Sequence, residues 1–250
     1  MRELSELTEV EESSWPVLSE ALGTSMVSMD VVPVDPALGR ATLLQMQITT
    51  RSWLGGMVLN CGGVVLDSGW VRIYGSPGDA DSPTGVPGGA TGLPSLAEVN
   101  GFPERLDPAW RPFNGLVVGH DVLGGVYAMN GPDPEAAGRP GRPGEITYFA
   151  PDSLRWESLE VSHSTWLAWF LSEGTERFYD TLRWPGWRGE SGALTGTQGL
   201  SVVPYLWTAE ARRDVSATRR RAVPLAEVLR LHRDTAIKLD SVDPGFFGTV

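Results

Sequence analysis

Residues 53–75, WLGGMVLNCGGVVLDSGWVRIYG, constrain the fold more than any other stretch. Three short apolar runs, Met57–Leu59, Val64–Leu66 and Trp70–Tyr74, alternate with Asn60-Cys61-Gly62-Gly63 and Asp67-Ser68-Gly69. Asn, Asp, Ser and Gly tolerate the positive φ that tight turns demand. The pattern predicts a β-meander. Two further hairpins are expected downstream. Leu116–Val118 and Val126–Met129 flank the first. Ile146–Phe149 and Leu154–Leu159 flank the second, which turns at Pro151-Asp152-Ser153. The sum is a mainly antiparallel sheet of about five to seven strands, a usual size.

Helical signals lie on both sides of this sheet. Pro16 follows Ser13-Ser14, and Trp15, Leu18 and Leu22 recur at helical spacing. Asp35-Pro36 is an N-cap and first-position pair for a helix over Pro36–Met46. Ser95 and Glu98 fit a capping box opening a short helix. Ser162 or Ser164 caps Thr165–Ser172, which is apolar nearly all round and is expected to be buried. Glu176–Leu182 is a second short helix. A final amphipathic helix runs from Pro224 to Leu239 with Leu225, Val228, Leu229, His232, Ala236 and Leu239 on one face. The fold class is therefore α+β, with helices from both ends of the chain on an antiparallel sheet. At 250 residues the chain reads as a single domain, 1–250. The Gly/Pro-rich stretches 76–94 and 131–144 read as flexible surface insertions. Residues 188–200 read as a Gly-rich loop, and Val202–Trp207, broken by Pro204, as an edge strand or lid.

Charge and composition narrow the function. Twenty basic against thirty-one acidic residues leave a net charge of −11. Nucleic-acid binders present a basic face, so no nucleic-acid partner is expected. Arg212-Arg213 and Arg219-Arg220-Arg221 are read as a solvated loop before the last helix. The acidic total suits a basic protein partner drawn in by the long-range field. No run approaches the ~18 apolar residues of a membrane span, so no membrane is expected. The acidic N-terminus lacks the apolar core of a signal peptide, and a cytoplasmic location is expected. One cysteine, Cys61, excludes a disulfide framework.

No cofactor or metal is expected. A phosphate loop needs a lysine, and the only one is Lys238. The three histidines form no i, i+4 pair. Two catalytic constellations stay open as a hydrolase alternative. Cys61 at a predicted turn could pair with His120 or His163. Asp67, Asp121 and Asp152 all fall at predicted turns and would form a carboxylate cluster if those turns share one end of the sheet. Turn aspartates more often bond their own backbone.

Ten tryptophans are the unusual feature. Trp166 and Trp169 read as core, and Trp15, Trp70, Trp156 and Trp207 as boundary residues. Trp184 and Trp187 flank Pro185-Gly186, with Arg183 and Arg188 beside them. Such a cluster either anchors a partner or staples its own loop to the last helix. The candidate binding residues are Asp67, Trp70, Arg72, Asp121, Asn130, Arg183, Trp184 and Trp187.

Several segments together resemble a bacterial family known as domain of unknown function 2625. They are Thr49-Thr50-Arg51-Ser52 with Leu54-Gly55-Gly56, Gly62-Gly63 with Asp67-Ser68-Gly69-Trp70-Val71-Arg72, and Asp121 with Gly124-Gly125 and Asn130-Gly131. To these are added Tyr148-Phe149-Ala150-Pro151-Asp152-Ser153-Leu154 with Trp156-Glu157, and Phe178-Tyr179 with Leu182-Arg183-Trp184-Pro185-Gly186-Trp187. The order of elements also resembles the SUKH superfamily, many of whose bacterial members are immunity proteins. That resemblance implies a non-enzymatic binder and a toxin as the basic partner. No oligomeric state follows from the sequence.

Overall fold

In a computed structural model, residues 1–78, 92–112 and 115–250 are described. The expected insertion at 76–94 lies mostly outside them. Seven strands form one antiparallel sheet in sequence order: β1 (Met29–Val32), β2 (Gly63–Leu66), β3 (Val71–Tyr74), β4 (Gly115–Asp121), β5 (Val126–Asn130), β6 (Glu145–Ala150) and β7 (Arg155–Ser162). A two-stranded ribbon pairs β8 (Gln198–Val203) with β9 (Arg219–Pro224). The fold is α+β, as expected.

Helices cover both faces. The N-terminal group is α1 (Leu4–Thr8), α2 (Trp15–Thr24), α3 (Pro36–Met46) and α4 (Trp53–Asn60). Asp35 caps α3 by accepting from the N–H groups of Ala37 and Leu38. Next come α5 (Leu96–Val99), α6 (His163–Phe170), α7 (Gly174–Phe178), α8 (Trp187–Gly192), α9 (Ala209–Arg213) and α10 (Leu225–Asp240). Register separates the faces. Gly119, Tyr127 and Tyr148 are cross-strand neighbours on one side, where Trp166 and Phe170 of α6 pack on Tyr127. Arg72, His120, Val126, Phe149 and Trp156 follow one another on the other side. β2 to β5 are buried almost throughout, as a sheet sandwiched on both faces must be.

Several expectations are corrected. Met57–Leu59 is helix, not strand: Ser52 Oγ accepts from the Gly55 N–H and opens α4. A short apolar run suits a buried helix as well as a buried strand, and the cap decides. Cys61 therefore ends a helix rather than turning a hairpin. Gly55 belongs to helix packing, since a Cβ there would meet the Thr49 carbonyl oxygen at 2.2 Å. The 188–200 stretch holds α8 and the start of β8. The arginine runs fall on α9 and β9, not in a loop. Trp70 is fully buried, whereas Trp169 is 38% exposed, and Leu239, expected on the apolar face of the last helix, is exposed at its end. Within residues 131–144, which are mostly exposed, the Pro140 carbonyl accepts from Asn130 Nδ2 and Arg139 is buried.

Candidate functional site

The sheet's topology places the β2–β3, β4–β5 and β6–β7 turns at one end. The three turn aspartates do share that end, yet each is engaged separately. Asp121 closes β4 and is fully buried. Its Oδ1 accepts from the N–H groups of Leu123 and Gly125 at 2.8 and 2.9 Å. Its Oδ2 accepts from the hydroxyls of Tyr148 at 2.6 Å and Tyr179 at 3.1 Å. Tyr127 in turn bonds the Tyr179 hydroxyl. Burial pushes the Asp121 carboxyl up against the pull of these four bonds, and holds all three phenols well above their usual range. Asp121 is thus the hub of a closed network. Asp152 is half-buried, and its carbonyl oxygen accepts from Arg212 Nη2 at 2.7 Å.

Asp67 pairs with Arg183. The Arg183 guanidinium lies 3.8 Å from the Trp187 ring centroid, 5.0 Å from Trp70 and 5.3 Å from Tyr179. Trp70 packs against Trp184 and Trp187 at 5.6 and 5.0 Å. Trp184 Nε1 donates to Glu190 Oε1, and Arg220 stacks on Trp184 while pairing with Glu190. The structure thus brings Asp67, Trp70, Arg183, Trp184 and Trp187 together, with Asp121 joined through Tyr179. The cluster is buried: Trp184 is 2% and Trp187 7% exposed. It staples the 183–187 turn to β9 rather than to the last helix.

Arg72 is fully buried nearby, and burial lowers its guanidinium to about 10, still charged at neutral pH. Its Nη1 donates to the Gln198 carbonyl and ties the sheet to β8. The Cys61 thiol is pushed up to about 12 by burial. His120 cannot serve it as a base, because Tyr74 and the Phe247 carbonyl occupy its two ring nitrogens. No cluster of three or more His, Cys, Asp or Glu suited to a metal occurs among the described residues.

Asn130 stands apart, at the opposite end of the sheet. It borders an apolar cavity of about 630 Å³ with Met46, Ile48, Phe102, Trp110, Leu116 and Met129. Phe102 and Trp110 pair with centroids 4.3 Å apart. Asn130 Oδ1 is buried without a hydrogen-bond partner among the described residues. Arg111, Gln45 and Gln47 give the cavity its remaining polar groups. Of the residues expected from sequence, only Asn130 lies here. Phe102, Trp110 and Met129 carried no motif, and only their convergence in space marks them.

The chain matches the family model described as "Protein of unknown function DUF2625" over residues 4–228. An uncharacterized Escherichia coli protein, YbfG, is 34% identical over 228 residues, 91% of this chain and 94% of its own. An uncharacterized Haemophilus influenzae protein is 30% identical over 207 residues, 82% of this chain and 83% of its own. No solved structure matches.

Proposed function

The chain belongs to the DUF2625 family, and we propose that it is a cytoplasmic binding protein that holds a basic protein partner, in an immunity-type role. The cavity beside Asn130 carries this reading. Its volume, about 630 Å³, falls in the range of recognition pockets, and its walls are apolar with a few polar groups. Half-buried Met46, Ile48, Phe102, Trp110 and Met129 leave apolar surface that a partner's side chain would cover. Asn130 Oδ1 offers a buried acceptor that a donor from the partner would satisfy. The net charge of −11 supports a basic partner. The toxin-neutralising role rests on the SUKH resemblance. The buried tryptophan cluster enters as the scaffold that stiffens the far end of the sheet.

The test is a pull-down from native lysate with wild type, Trp110→Ser and Met129→Glu, matched for melting temperature. One basic protein, retained by wild type, released by salt and lost at least tenfold in both variants, is the expected result. Equal retention by all three proteins, or no specific protein at all, overturns the reading.

A further inference from the structure

Beyond α10 the chain runs as an irregular segment, residues 241–250. Ser241, at φ +56°, ends the helix in the left-handed region and turns the chain back. The segment then crosses the sheet face that carries His120, Phe149 and Trp156. It is held there almost as a separate ligand would be. Trp156 Nε1 donates to the Pro244 carbonyl at 2.8 Å. Arg139 Nη2 donates to the Phe246 carbonyl at 3.0 Å. His120 Nε2 donates to the Phe247 carbonyl at 2.7 Å, while its Nδ1 accepts from the Tyr74 hydroxyl. The Thr249 N–H donates to the Val99 carbonyl at 2.8 Å.

The side chains are read as well. The Phe247 ring is 5% exposed and lies against Phe149 and Trp156, with centroids 4.4 and 5.9 Å away. Gly248 has φ +90°, and a Cβ there would stand 2.7 Å from Val99 Cγ1 and 3.2 Å from His120 Cε1. The position after the phenylalanine therefore excludes any side chain. Three backbone carbonyls within four residues, those of Pro244, Phe246 and Phe247, with a ring pocket and a glycine step, are the elements by which a groove reads an extended peptide. His120, fully buried, and half-buried Trp156 would lose these acceptors if the segment left, at a desolvation cost. Space also remains beside the segment. A cleft of about 440 Å³ lies between Leu154, Trp156, Val242 and Pro244, and one of about 370 Å³ lies beside Arg139, Asp243 and Phe246. The groove is wider than its occupant.

We propose that this groove is a peptide-binding site for an extended segment carrying Phe followed by Gly, and that the chain's own C-terminal segment is its resident occupant. His120, Arg139 and Trp156 position the peptide backbone, and the Phe247 pocket sets specificity. A tethered segment competes at an effective concentration in the millimolar range, so an outside peptide enters only at comparable concentration or when the resident segment is weakened. None of the three donors borders the cavity beside Asn130, so the two sites are separable.

The probe is a fluorescent peptide, Val-Asp-Pro-Gly-Phe-Phe-Gly-Thr-Val, titrated into full-length wild type and full-length Phe247→Ala. Saturable binding to Phe247→Ala, at least tenfold tighter than to wild type, is expected. A peptide with its second Phe replaced by Ala should lose that binding. A folded Phe247→Ala protein that gives no saturation, or that binds a scrambled peptide equally, overturns the proposal. If Phe247→Ala does not fold, hydrogen exchange on wild type decides. Excess peptide should speed exchange at the Thr249 amide, and an unchanged rate at millimolar peptide overturns the proposal.

Discussion

Arg183 and Asp67, 116 residues apart, form an ion pair whose side chains are only 8% and 9% exposed. The other three ion pairs among the described residues each hold at least one partner that is 40% exposed or more. The buried pair joins the β2–β3 turn to the 183–187 aromatic turn. Removing one partner of such a pair strands a buried charge, at about 3–5 kcal/mol. Asp67→Asn keeps a residue that tolerates the φ of +52° found there, so its loss should report the pair alone. Chemical denaturation should show Asp67→Asn destabilised by that order, with Asp67→Asn/Arg183→Met recovering part of the loss. A single variant as stable as wild type would remove the pair from the account of this end of the sheet.

Gly125 is required by the carboxylate it faces. A Cβ at that position would lie 2.0 Å from Asp121 Oδ2 and 2.3 Å from the Tyr148 hydroxyl oxygen. Gly125→Ala must push the network apart, and should cost more than Tyr148→Phe. Tyr148→Phe takes one donor from a buried oxygen and leaves Tyr179 as the other, a loss of about 1–3 kcal/mol. Urea midpoints of the two variants would show the order, and the reverse order would mean that the turn relaxes around the added methyl.

The strands were legible because their turns are. Asp67-Ser68-Gly69 adopts positive φ at all three residues, and the hairpin boundaries fall within a few residues of those read from the sequence. Met57–Leu59 reads as strand because three apolar residues carry no period, and the deciding cap, Ser52, sits outside the run. The aromatic cluster was legible as a list and not as a place. Trp184-Pro185-Gly186-Trp187 shows its composition, but its burial depends on Trp70, more than a hundred residues earlier. The cavity beside Asn130 is invisible for the same reason: the end of α3, α4, the segment after α5, and β4–β5 meet there only in three dimensions. The C-terminal segment carried no helical or strand period, and its anchors are side chains scattered from His120 to Trp156.

The Cys61 thiol should be silent in the folded protein. It is fully buried, and burial holds it up at about 12, far from the thiolate that reacts. A thiol-exchange reagent at pH 8 should find no reactive group in native protein and one equivalent in urea. Rapid reaction of the native protein would reopen the nucleophile that the geometry closes.

Acid should destabilise the fold through its histidines. His120, His163 and His232 are buried, and burial lowers each from an ordinary value of 6.5 to about 4. The unfolded chain therefore takes up these protons first as pH falls. Stability present above about pH 6.5 is lost progressively down to about pH 4, by up to about 1.4 kcal/mol per pH unit for each histidine. Asp121 opposes this, since its raised carboxyl is protonated more readily in the folded state. His163 isolates the effect, because neither of its ring nitrogens has a hydrogen-bond partner among the described residues. His163→Phe removes the titrating group and leaves no acceptor stranded. Unfolding free energies at pH 7.5 and 5.5 should differ by about 1 kcal/mol less in His163→Phe than in wild type. An equal difference in the two proteins would show that His163 titrates normally and is open to water.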